Sequence, residues 1–327
     1  MTMSSCPDTA TRPGEQPASA EPEGTQRRGP QSTEARWRRN DRRWGMFFVA
    51  PQVLGICLFT LIPFAASFVL AFTQWNGFGM PSFVGLDNFR DQLSDPDLGR
   101  AVLNTGVIML VTVPIGLFLS IVGATVLNKV RFRSVYLVML FAPVVTSAVA
   151  IALIWQQLLR QDGVISGVIS AVFGVENIDW LGHPWLALIS VCIVTIWSSV
   201  GLNIVIFMAG LQGISPSVME AAKIDGAGPI ARFFRITLPL LSPIIFYQCI
   251  VACISSLQTF DLVFVLVKNA GPDNGTRTIV YHIYDLGFAK SQFGLSSAAS
   301  VVLLALTLVV TAIQFGAQKK LVHYEAD

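Results

Sequence analysis

Apolar residues in this chain fall into long unbroken runs. They show neither the alternation of a half-buried strand nor the three-to-four spacing of a surface helix. Six runs reach the roughly 20 residues a helix needs to cross a bilayer: about 44–72, 102–127, 135–158, 185–211, 244–267 and 295–317. Pro51, Pro63, Pro114 and Pro143 lie inside them. Proline is tolerated in a membrane helix because neighbouring helices re-satisfy the carbonyls it frees. The pattern predicts an all-α integral membrane protein, a polytopic bundle of six transmembrane helices spanning residues 44–327. Residues 1–43 read differently. Their first 35 positions are rich in Pro, Ser, Thr, Glu, Gly and Gln without apolar periodicity, which predicts a disordered N-terminal tail. The basic cluster Arg36, Arg38, Arg39, Arg42 and Arg43 closes it. The first apolar run starts too far along and runs too long for a cleavable signal peptide.

Composition agrees and narrows the classes. Of 327 residues, 53% are hydrophobic and 13% charged, against about 25% charged in a soluble domain. A net charge of +2 with no basic face argues against a nucleic-acid partner. Four of the five cysteines sit in apolar runs as small packing residues, and the three histidines are isolated, so neither a metal site nor a disulfide framework is expected. Lys and Arg in the short loops set orientation. With the N-terminus inside, thirteen fall on the inner side, among them Lys129, Arg131, Arg133, Lys223, Arg232, Arg235, Lys319 and Lys320, against six outside. Both termini are therefore expected in the cytoplasm.

The inner loop 212–243 is long and structured in composition. Ser215-Pro216 signals a helix start, and Ser217 with Glu220 offers a capping box in another register. Asp225-Gly226 ends that helix, Pro229 opens a second, and Leu238-Pro239 closes it. Ala221, Ala222, Gly226 and Ala227 let another surface approach the backbone, while Phe233, Phe234 and Ile236 need cover from this chain or a partner. Within the spans, polar side chains generally face a cavity or another helix. Trp197, Ser199 and Asn203 in the fourth run, and Ser256 and Thr259 in the fifth, are candidates for a polar path, with Ser199 and Asn203 on one helical face. Asp261, about 26 Å along the fifth run at 1.5 Å per residue, is expected near the outer interface.

Glu220-Ala-Ala-x-x-Asp-Gly-Ala227, followed by Ile236-Thr-Leu-Pro239, resembles the EAA loop of ABC importer permeases that depend on a solute-binding protein. Thr73-Gln-Trp75 and Phe83-Val-Gly-Leu-Asp-Asn-Phe89 are similar to the first outside loop of carbohydrate-type permeases, nearest to the first permease subunits of the maltose and glycerol-phosphate systems. Phe260-Asp261, Gly271-Pro272, Tyr281-x-x-Tyr284 and Phe293-Gly294 also match. Lys268-Asn-Ala-Gly-Pro272 departs from the glycine run usual there, which weakens that loop as a binding-protein contact.

The resemblance implies the type I ABC importer permease fold and a mechanism. Glu220, Ala221, Ala222, Asp225, Gly226, Ala227, Leu238 and Pro239 would couple the chain to a separate ATPase, which binds the ATP and Mg. This chain needs no cofactor, has no catalytic or metal residues and is not itself an enzyme. It lacks a GxxxxGK[ST] phosphate loop, since the nearest stretch, Gly287 to Ser291, misses the second glycine. Implied partners are a second, different permease, two ATPase domains, an extracytoplasmic solute-binding protein and a sugar or polyol, all at the plasma membrane. The alternative is a secondary transporter of a small polar solute. That would require coupling-ion groups in mid-membrane, and the runs hold few ionisable residues.

Overall fold

A computed structural model describes residues 31–175 and 178–321. The chain divides into two compact units, Met1–Ile62 and Pro63–Asp327. In the first, α1 (Gln31–Ile56) leads into a π turn at Cys57–Leu61. The helix thus begins ahead of both the apolar run and the basic cluster, at Gln31 within the stretch assigned to the tail from sequence, while residues 1–30 lie outside the described residues. From Trp44 onward its large side chains are exposed, Phe47, Phe48 and Leu54 among them. The helical stretch Trp44–Leu70, which ends in α2 (Ile62–Leu70), is long and apolar enough to cross a membrane.

Within the second unit a short hairpin follows, β1 (Thr73–Gln74) antiparallel to β2 (Ser82–Phe83), with Thr73 opposite Phe83. Asn88 fixes its base by donating to the Ala71 and Thr73 carbonyls at 2.9 and 2.8 Å. Next come α3 (Asp87–Ser94), α4 (Pro96–Leu127), α5 (Arg133–Phe141), α6 (Ala148–Leu158), α7 (Val164–Phe173) and α8 (Pro184–Gly213). After them lie α9 (Pro216–Ile224), α10 (Pro229–Arg232), α11 (Leu238–Leu240), α12 (Ser242–Leu257), α13 (Asp261–Leu266), α14 (Ile279–Tyr284) and α15 (Phe293–Leu321). Helix α4 starts six residues before the predicted run. Asp95 caps it by accepting from the Asp97 N–H at 2.8 Å, and Pro96 supplies the first helical position.

The long helices α4 and α8 form the spine, and each feeds two cores. Ile108 of α4 and Val191 and Val194 of α8 join Ile151, Val263 and Leu266 in one. Val113, Leu117 and Ile121 of α4 meet Ile204, Phe207 and Met208 of α8 and Cys253 of α12 in the other. In lipid an apolar side chain gains little by leaving its solvent, so close packing and interhelical hydrogen bonds hold such helices together. Glycines permit the approach: a Cβ at Gly201 would overlap the Leu140 carbonyl, and one at Gly123 would press on Ile204.

Two predicted spans are interrupted. The run 135–158 is two helical pieces, Arg133–Val145 and Ala148–Leu158, at 103°. Pro143 has no N–H to give, so the chain tightens into a 3-10 turn over Ala142–Val145 and then extends at Thr146. Where the helix ends, the Thr146 hydroxyl donates to the Ala142 carbonyl at 2.8 Å. The run 244–267 also stops early. Helix α12 ends at Leu257, and the chain breaks through Gln258–Phe260 before α13 begins. At that break the Thr259 carbonyl accepts from the Thr278 hydroxyl at 2.9 Å. Among the described residues four helices can cross a membrane alone, and up to six spans result if two bent pairs, Arg133–Val145 with Ala148–Leu158 and Pro229–Leu240 with Ser242–Leu257, each count as one.

Candidate functional site

The inner loop folds as the two short helices read from its sequence. Pro216 takes the first position of α9, so the Ser215 register is used and not the Ser217–Glu220 box. The helix ends in a Schellman cap. The Gly226 N–H donates to the Lys223 carbonyl at 3.1 Å and the Ala227 N–H to the Ala222 carbonyl at 3.0 Å. Gly226 occupies the left-handed region that this cap requires, at φ +76°. Pro229 then opens α10. Leu238-Pro239 does not close this second helix. A π turn over Phe233–Thr237 widens the backbone ahead of Pro239, and the helical run continues to Leu240 before bending 66° into α12. Glu220, Ala221, Asp225 and Gly226 are exposed, and Ala222 is buried. Phe233 packs into the second core, whereas Phe234 stays exposed beside it and Ile236 is half-buried.

Between α4, α8 and α12 lies a cavity of about 210 Å³, its largely apolar wall set with Ser, Thr, Asn and Gln side chains. It brings together Ser199, Asn203 and Ser256, three of the path residues chosen from sequence. Gln248 donates to the Asn203 amide oxygen at 2.7 Å, and the Thr112 and Ser256 hydroxyls share a hydrogen bond of 3.2 Å. Among the described residues the Asn203 amide nitrogen and the Gln248 amide oxygen have no further partner, so both can bind a hydroxylated solute. Trp197 stands elsewhere, edge-on to Trp155 at 5.5 Å. Thr259 lies in the break after α12, and Asp261 opens α13 with an exposed side chain. Neither lines the cavity. Gln248, Thr112 and Gly116 line it without having been chosen. Gln248 and Thr112 carry a legible signal as polar residues inside apolar runs, while Gly116 carries none.

At the other end of α4 a buried polar cluster ties the chain beyond α13 to α3 and α4. Arg277 donates to Asp285 at 2.7 Å and to His282 Nδ1 at 3.2 Å, and it lies 3.7 Å from Asp97. Asn104 donates to the Asn274 and Arg277 carbonyls at 3.1 and 3.0 Å. His282 is fully buried, with Nε2 2.8 Å from the Gln92 amide oxygen. Burial first, and then the Arg277 charge, pushes its pKa down to about 4. A neutral ring accepting at Nδ1 and donating at Nε2 satisfies both neighbours. Burial raises the Asp285 carboxyl, but the Lys290 and Arg277 hydrogen bonds outweigh it and hold the group below its usual range.

A helical membrane chain with a cavity between spans and an exposed double-helix loop defines a multi-pass transport subunit. Residues 112–323 match the family described as binding-protein-dependent transport system inner membrane component, and this chain belongs to that family. The lactose transport system permease protein LacF of Rhizobium radiobacter is 34% identical, over 84% of this chain and 94% of that protein. The probable ABC transporter permease protein YesP of Bacillus subtilis is 33% identical, over 88% and 94%. The sn-glycerol-3-phosphate transport system permease protein UgpA of Brucella suis is 32% identical, over 85% and 95%. A crystal structure of a bacterial ABC transporter that imports the acidic polysaccharide alginate shares the fold. Its TM-score is 0.76 at 21% identity, covering 88% of this chain and 99% of that one. Nothing in the fold or the relatives supports a secondary transporter.

Proposed function

We propose that this chain is one of two different permease subunits of an ATP-driven importer for a sugar or related polyol. A solute-binding protein delivers the cargo outside, and a separate ATPase, holding ATP and Mg, drives alternating access from inside. The observation that carries this reading is the exposed α9 surface. Glu220 and Asp225 offer carboxylates, Ala221 and Gly226 offer bare backbone, and a Schellman cap makes the elbow rigid. Such a surface suits a groove in a partner. The charge bias puts this loop and both termini in the cytoplasm. The cavity supports a permease pair. At about 210 Å³ it falls below the roughly 300–1,000 Å³ of a complete ligand pocket, as fits a path lined half by each subunit. A sugar cargo rests on the amide and hydroxyl lining and on relatives named for lactose and glycerol-phosphate transport.

The test uses the assembled importer in proteoliposomes. Glu220→Lys reverses a docking charge, and Gly226→Pro destroys the cap. Each should abolish uptake while the subunits still insert and purify together. Wild-type uptake in both variants would refute the coupling role.

A further inference from the structure

We infer that the cleft between the end of α4 and the α9–α10 loop binds a phosphate group, supplied by an anionic lipid headgroup or by free phosphate. The cleft has a volume of about 430 Å³ and is lined by Lys129, Lys223 and Arg232, with Thr237 buried in its wall and Met219 and Phe233 beside them. All three cations line it, Lys129 and Lys223 exposed and Arg232 half-buried, and no carboxylate does. Glu220 and Asp225, the acids of the loop, are exposed and outside the lining. Among the described residues none of the three cations forms an ion pair. The Arg232 Nε is moreover buried without a hydrogen-bond partner.

A buried donor left unmade costs about 1–3 kcal/mol, and more when charged. The Arg232 Nε is such a donor, and an anion entering the cleft would satisfy it while drawing on the two exposed lysines. Phosphate suits the geometry because its several acceptor oxygens can meet a guanidinium fork and two ammonium groups at once. Basic pockets at the ends of membrane helices take anionic headgroups, and Met219 and Phe233 offer apolar contact to whatever carries the phosphate. Lys129 follows α4, Lys223 belongs to α9 and Arg232 to α10. One bound phosphate would thus pin both halves of the loop to a span.

The experiment compares the intact assembled transporter with Lys129→Gln and Arg232→Gln, using Lys319→Gln, outside the cleft, as control. Each is placed in nanodiscs of phosphatidylcholine and phosphatidylglycerol, extracted, washed in detergent and examined by native mass spectrometry for retained lipid. A second arm titrates inorganic phosphate against the lipid-stripped complex and reads the thermal shift. The wild type and Lys319→Gln should retain phosphatidylglycerol or bind phosphate, and both cleft variants should weaken that at least tenfold. Lipid retention identifies a headgroup, and phosphate binding without it identifies the free anion. Equal behaviour of wild type and both cleft variants overturns the inference. So does a carbodiimide cross-link from Lys129 to an ATPase carboxylate, which would make the cleft a protein contact. Lys129 is exposed, so its substitution keeps the test readable if Arg232→Gln fails to assemble.

Discussion

At Gly201 the α8 backbone meets the carbonyl of Leu140, with no room for even a methyl group. Gly201→Val forces the two helices apart. Overpacking of this kind costs about 1–3 kcal/mol, so thermal unfolding of the purified complex should come at lower temperature, with uptake reduced. His282 carries a different expectation. An unfolded imidazole gains its proton near pH 6.5, while the folded one gains it only near 4. Between those values only the unfolded state binds the proton, so stability is fully present above about 6.5 and falls as pH falls. Protection factors for hydrogen exchange over residues 277–285 should fall from pH 7 to pH 5, once the intrinsic rate, which itself slows on acidification, is divided out, and His282→Gln should remove that fall. The cluster was not legible in the sequence. Arg277, His282 and Asp285 sit in a segment without periodicity, and only the fold brings Gln92, Asp95 and Asp97 against them.

Among the elements, the apolar runs were legible because crossing a bilayer imposes a length that composition cannot disguise. The breaks were not. Pro114 lies within the continuous α4, yet Pro143 ends a helix. Both prolines lack an N–H to give, so proline alone does not announce which of them breaks its helix. The same limit placed Thr259 and Asp261 on a helix that ends at Leu257. Ser199, Asn203 and Ser256 were legible as polar groups in lipid, but their meeting depends on how α8 crosses α12. Gln248 belongs with them. Gln248→Leu strips the Asn203 amide of its bond, which should cost about 1–3 kcal/mol in stability and lower uptake in proteoliposomes with insertion unchanged. Gly226→Ala retains the α9 helix but strains its cap by about 1 kcal/mol. Coupled ATP hydrolysis should fall less than with Gly226→Pro, measured in the same preparation.

For the whole molecule, the exposed apolar side chains of Trp44–Leu70 suit a helix that meets lipid. The proposed pairing with a second permease is testable at this scale: expressed alone the chain should insert but degrade quickly, and co-expression with the other permease of the importer should lengthen its half-life in a pulse-chase measurement. The bend at Leu241 has a geometric consequence. The residue is almost fully buried at 1% exposure, and it joins the stiff run Pro229–Leu240 to the 16 residues of α12 at 66°. At 1.5 Å per residue α12 is about 24 Å long, so tilting it by 10° about that corner carries its far end through roughly 4 Å. Ser256 sits at that far end, 3.2 Å from Thr112. The corner works as a bell crank, in which a turn of the Pro229–Leu240 arm becomes, at the end of the α12 arm, a displacement longer than the hydrogen bond between Thr112 and Ser256.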